Sequence, residues 1–453
     1  MSLLKSTPRF PASAASATVF SYSEKILLLY LVFYFLVPYK PWGFPFSFHM
    51  PVLFLGLLVC GRDALGALRS GKAGVPGDVP VLAAAVIVFS LSAAFVHFRE
   101  FSRISVQAYI MSFACYFFVR AVVTQSFVGR LYRVMNGYLI LSGILILLQV
   151  NEFWPAYVSG FFGQTNFGRG TQGWGFANTH ILAGGSIAWM FSSVFARYSL
   201  RGETVWSLRE EAFWLSALSL GGAGLFYTLN RGAWLGAACA LLLLAASILF
   251  RGLPKKHFLR GGIAVAAFLV LLKFLMQPAV YKMQEKLSFV RNISVSPVST
   301  VSNDAASLTR LKAWGVALDA IAQSPFWGLG IGRYPEFYSK AFPKLFIGVD
   351  RYGFDDNPRQ IPHNSYLYYA SEAGLLAALA LFVFFGYVFV TAWRAGPASQ
   401  VFPFLMGLVS VYAWLFTSDF INERIAWIAI GVVGGLAPFI KVRFFNGVHP
   451  QVR

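Results

Sequence analysis

Long apolar runs, broken by short polar connections, dominate this chain. Runs of roughly 18 residues or more recur, each long enough to cross a bilayer. They are continuous rather than alternating, which predicts helices and not the strands of a barrel. Spans are predicted near 25–42, 46–60, 79–97, 104–122, 134–150, 176–196, 211–229, 233–250, 261–277, 364–391, 400–418 and 425–440. The expected fold is therefore an all-α polytopic membrane protein of about twelve transmembrane helices. Residues 1–24 read as a cytoplasmic tail, 25–277 as spans one to nine, 278–363 as a large exterior loop, 364–440 as spans ten to twelve, and 441–453 as a second tail.

Composition agrees. Of 453 residues, 57% are hydrophobic and 12% charged, against about 25% charged in soluble domains. The small-residue stretch 11–17 precedes the first apolar run instead of following it, so that run reads as an uncleaved anchor rather than a signal peptide. The net charge of +19 would suggest nucleic acid in a soluble protein, but topology accounts for it. Of 37 Lys and Arg, the two tails and alternate connections carry 20, the other short connections 6, and the long loop 11. Cations favour cytoplasmic loops, and long loops escape that rule. Both termini are thus expected inside and the long loop outside, with Arg169 and Arg231 at the outer face. Cys60, Cys115 and Cys239 lie in or beside apolar runs, so neither a disulfide framework nor a thiolate metal site is expected.

Two exterior segments stand out. Residues 151–175 are rich in Gly and aromatics and carry one cation, Arg169. The long loop holds a helical stretch capped by Asn303 or Asp304 and closed by Pro325. Leu308, Leu311, Trp314, Leu318 and Ile321 recur along it at helical spacing. Arg310 stands near its start, where a cation opposes the helix dipole. The glycine-spaced Trp327–Gly332 then reads as a turn of close backbone approach. An irregular stretch containing Asp350, Asp355 and Asp356 follows. Without histidines or further carboxylates it is a poor metal site, and no metal or cofactor is expected.

The loop ends in IPHNSYLYYASEAGLL. Asn364 or Ser365 can cap the next span, which places His363 at the water boundary. Histidine titrates nearest neutrality and can accept a proton there. Glu372 then falls two to three turns inside the span. A carboxylate at such a position is either a functional group or a structural link to another helix. Arg231 interrupts two apolar runs with no acidic residue within 15 positions. Its fork of donors suits a phosphate, although a rim arginine can also reach lipid headgroups.

Taken together, His363, Asn364, Leu367, Glu372 and Gly374, the stretch NRGAWL around Arg231, and Arg310, Trp314 and Ser324–Gly330 resemble the O-antigen ligase and O-antigen polymerase superfamily in order and spacing. The resemblance covers about residues 130–440. It implies metal-independent, inverting transfer of a glycan from undecaprenyl diphosphate on the periplasmic face of a bacterial inner membrane. For a ligase the acceptor is a sugar hydroxyl of lipid A core. His363, Arg310 and Arg231 would then be catalytic, and Asn364, Glu372, Arg169, Trp314 and Tyr366 would bind substrate. A polymerase of the same superfamily and a protein O-glycosyltransferase are the related alternatives. A solute transporter is the unrelated one, and it fits less well because the notable polar residues gather at the outer boundary rather than along a midplane path.

Overall fold

A computed structural model describes residues 21–36, 49–69, 86–87, 103–150, 176, 179–202, 206–275, 305–345, 361–418 and 424–436. These residues are helical apart from turns and caps, with no strand among them. In chain order the α-helices are α1 (Tyr22–Leu36), α2 (His49–Arg69), α3 (Arg103–Val122), α4 (Val128–Val150), α5 (His180–Ser199), α6 (Leu208–Tyr227), α7 (Arg231–Phe250) and α8 (Lys256–Leu275). They continue with α9 (Ala305–Gln323), α10 (Tyr334–Leu345), α11 (Ser365–Ala395), α12 (Phe402–Leu415) and α13 (Arg424–Leu436). Every predicted span except 79–97 overlaps one of these helices; 79–97 lies almost wholly outside the described residues, as does 151–175. Three described helical stretches are long and apolar enough to cross a membrane: Gln125–Val150, Arg231–Phe250 and Ser365–Ala395.

α12 forms the centre of the bundle. It is buried along nearly its whole length and packs against α5, α7, α11 and α13. Glycine makes the approach to α7 possible, since a Cβ on Gly236 would strike the Ser410 carbonyl. Small residues at helix contacts are what bundles in lipid rely on, where apolar burial alone drives no association. Large apolar side chains point outward instead: Leu235, Leu242 and Leu249 on α7, Leu259 and Leu269 on α8, Leu379, Phe382 and Val383 on α11. Such a broad exposed apolar face suits a lipid surround.

Helix ends that the charge count assigns to one side meet in space. At the expected cytoplasmic end, Arg130 pairs with Glu24 at 2.9 Å, Arg251 donates to the Trp393 carbonyl at 3.2 Å, and His257 Nδ1 lies 2.7 Å from the Ser199 carbonyl. At the expected exterior end, Asn230 donates to the Ile181 carbonyl at 3.1 Å and Ser365 donates to the Ser418 carbonyl.

Helices α9 and α10 have a small core of their own: Ala313, Val316 and Ala317 of α9, Tyr334, Tyr338 and Ala341 of α10, and Tyr368. Tyr334 Oη donates to the Ala313 carbonyl at 2.7 Å. The expected apolar stripe of α9 is corrected here. Leu311 and Leu318 are exposed, while Ala313, Val316, Ala317 and Ala320 face inward. The smaller side chains let α10 and Tyr368 approach closely. Pro335 sits in the first turn of α10, where its missing N–H costs no helical hydrogen bond. Glu336 bridges Arg333 at 2.8 Å and Lys340 at 2.9 Å, and the Lys340 hydrogen bond, with Arg333 beside it, holds its carboxyl below the usual range.

The predicted span 364–391 is also corrected, because α11 is broken at Gly374 (φ 84, ψ 168). Tyr366 stacks on Phe382 with ring centroids 5.2 Å apart. A straight helix would separate these positions by about 24 Å. The chain therefore doubles back at Gly374: residues 365–373 form a short arm against the start of the long arm, residues 375–395. The long arm alone is about 31 Å, close to the thickness of a bilayer core.

Candidate active site at one end of the bundle

The site is assembled around the last turn of α12 and the residues that follow it. A Cβ on Gly232 would collide with Thr417 Oγ1, so glycine lets the first turn of α7, where Arg231 stands, press onto this end. Asn230 caps α7 by accepting from Ala233 N at 3.1 Å. From the other side Ser365 Oγ reaches the Ser418 carbonyl, which brings His363 to the same place. From above, the Trp314 ring meets Phe416 edge-on at 5.7 Å, and its Nε1–H donates to the Pro362 carbonyl at 2.7 Å. Arg310 precedes Trp314 by four positions and so shares its face of α9. Arg231, Arg310 and His363, distant in sequence, thus all belong to elements that converge on residues 414–418.

Backbone strain marks the same place. Among the described residues, the non-glycine positions with left-handed φ are Leu229 (φ 52) and His363 (φ 50). One lies two residues before Arg231, and the other is the candidate base itself. Such conformations cost of order 1–3 kcal/mol each and cluster at functional sites.

The other expected residues are placed as follows. Asn364 is the cap of α11; its side chain accepts from Tyr366 N and Leu367 N, both at 3.1 Å. Tyr366 Oη donates to the Tyr412 carbonyl at 3.0 Å. Arg310 lies in the second turn of α9, which starts at Ala305, so the expected conflict with the helix dipole is weaker than its sequence position implied. Arg169 lies outside the described residues, as do Asn303, Asp304, Asp350, Asp355 and Asp356. No group of three His, Cys, Asp or Glu side chains that could hold a metal occurs among the described residues.

Glu372 is fully buried. It does not follow His363 down a straight span, because residues 365–373 run back along the long arm to the break at Gly374. Tyr334 N donates to Glu372 Oε1 at 3.2 Å, and the Gly332 amide and the Tyr368 hydroxyl also reach the carboxylate. The glycine turn after α9 fills the break in α11. Leu329 N donates to the Ser371 carbonyl at 2.8 Å, Gly330 N to the Glu372 carbonyl at 3.0 Å, and Leu375 N to the Pro325 carbonyl at 2.7 Å. Both chains need glycine here: a Cβ on Gly374 would strike the Phe326 carbonyl, and one on Gly328 (φ 66) the Glu372 carbonyl. Sequence reasoning missed the floor at Phe416–Ser418. Its signal was the polar Thr417–Asp419 closing an apolar run.

Two arginines and a histidine thus stand on elements packed against one end of a bundle faced with apolar side chains. Residues 215–382 match the family model described as O-antigen ligase. This stretch runs from α6 to the long arm of α11 and holds Arg231, Arg310, Trp314, His363 and Glu372. No curated protein matches the chain. Residues 215–382 are thus similar to the O-antigen ligase family, whose members are glycosyltransferase-type enzymes.

Proposed function

We propose that this protein is a twelve-span inner-membrane glycosyltransferase whose active site faces the periplasm. It moves a glycan from undecaprenyl diphosphate to a sugar hydroxyl of lipid A core. The observation that supports the reading is that the elements carrying Arg231, Arg310 and His363 pack against residues 416–418, at the end of the bundle that the charge count puts outside. His363 takes the proton of the acceptor hydroxyl as its oxygen attacks the anomeric carbon. The bond from that carbon to the diphosphate oxygen breaks, and the lipid diphosphate leaves with the electron pair. Attack opposite the leaving group inverts the anomeric configuration. Arg231 and Arg310 stabilise the charge growing on the diphosphate, as fixed cations do in phosphoryl chemistry. A lipid-linked donor presents this carbon at headgroup height, which explains why the proton acceptor belongs at the membrane mouth.

In this reading Trp314 and Tyr366 flank the glycan, and Arg169, with its aromatic segment, contributes from the exterior connection. Asn364 holds His363 in place by capping α11. Both tails lie in the cytoplasm, and residues 278–363 form the periplasmic loop. The lipopolysaccharide banding pattern of a strain lacking the protein tests the assignment. A ligase deficiency removes capped lipid A core and leaves polymer on the lipid carrier. Core capped by a single repeat would instead identify a polymerase.

A further inference from the structure

We infer that Glu372 is a positioning residue: its buried carboxylate latches the exterior helices α9 and α10 onto the broken helix α11, and so sets where Arg310 and Trp314 stand over His363. The inference rests on the proposed transfer reaction only for its activity arm.

A lone carboxylate inside an apolar run needs a partner. Here the partners are backbone amides of the exterior chain, Tyr334 N at 3.2 Å and Gly332 N. A carboxyl oxygen accepts from such amides whether or not the group carries a charge. The latch completes a seam. On one side of Glu372 the turn amides of Leu329 and Gly330 cap the short arm; on the other, Leu375 N closes onto Pro325. Tyr334 then passes the constraint to α9 through its hydroxyl on the Ala313 carbonyl. Ala313 precedes Trp314, whose indole holds the Pro362 carbonyl beside His363. A continuous path therefore joins Glu372 to the backbone that carries the candidate base, yet the enclosed carboxylate offers no open face to a substrate. Gly374 is part of the same device, because only glycine lets the turn lie in the break.

The test uses full-length protein in nanodiscs, with Cys60, Cys115 and Cys239 replaced by alanine. Spin labels are placed at Leu318→Cys on α9 and Leu235→Cys on α7, both exposed positions. The unsubstituted latch should give one narrow distance distribution. Glu372→Gln keeps the volume but puts an NH2 donor in place of one acceptor oxygen, and should broaden it. The same variant should lower kcat by on the order of 10²-fold, the cost of a small misplacement of catalytic groups, with little change in donor KM. If Glu372→Gln does not accumulate in the membrane, Glu372→Asp takes its place, since the shortened arm cannot reach the amides. A distribution that stays narrow in the variant overturns the latch, whatever the activity. Lost activity with a raised donor KM and a narrow distribution would make Glu372 a substrate contact instead. Because the distance is read without substrate, it stands or falls separately from the transfer reaction.

Discussion

The indole Nε1–H of Trp314 donates to the carbonyl of Pro362 at 2.7 Å, across 48 positions of sequence. This bond ties the middle of α9 to the residue before His363. It fixes the backbone that leads into α11 against α9. His363 is held in a left-handed conformation (φ 50) between that bond and the Asn364 cap.

Trp314→Phe tests the tie directly. The smaller ring can still meet Phe416 but has no donor for the Pro362 carbonyl. A neutral hydrogen bond contributes about 1 kcal/mol to stability, so the fold should survive with a small loss measurable by thermal scanning. Transfer should fall more than stability does, by about tenfold or more, because displacement of catalytic groups is amplified in rate. Steady-state kinetics of the purified variant checks this, and an unchanged kcat would show that the bond does not position the site.

Arg231→Lys and Arg310→Lys conserve charge and remove the two-pronged geometry with which guanidinium grips a phosphate. If both arginines hold one diphosphate, each substitution should impair transfer severely, and the double variant should lose little beyond the worse single. Additive losses would indicate two separate roles.

Chelation gives a third check. The account assigns charge stabilisation to arginines and proton transfer to a histidine, so EDTA should leave the rate unchanged. Inhibition that Mg²⁺ or Mn²⁺ reverses would assign a ligand role to Asp350, Asp355 and Asp356.

Much of this architecture was legible in the sequence, for identifiable reasons. Apolar runs located the helices because the bilayer dictates both their length and their composition. The end of α9 at Gln323 was signalled by Ser324 and Pro325, and the Asn364 cap by the residue types that satisfy free amides. The break at Gly374 was hidden, because SEAGLLAAL reads as unbroken helix. It exists only because amides from Leu329 and Gly330 take over the carbonyls that the break exposes, a tertiary effect with no local signature. The helix α10 was missed for the opposite reason. Pro335 and Pro343 suppress its local helical signal, and packing of Tyr334 and Tyr338 against α9 and Tyr368 restores it. That the starts of α7 and α11 pack against one end of α12 had no signal in either motif.

The central claim is that His363 takes the proton in glycosyl transfer at this site. It is tested most directly by single-turnover transfer in nanodiscs, with purified protein, lipid-linked donor and lipid A core acceptor. The account predicts that His363→Ala binds donor as the unsubstituted protein does, while transfer slows by about 10²–10⁴-fold, the usual loss when a general base is removed. Transfer by His363→Ala at a near-normal rate would contradict it.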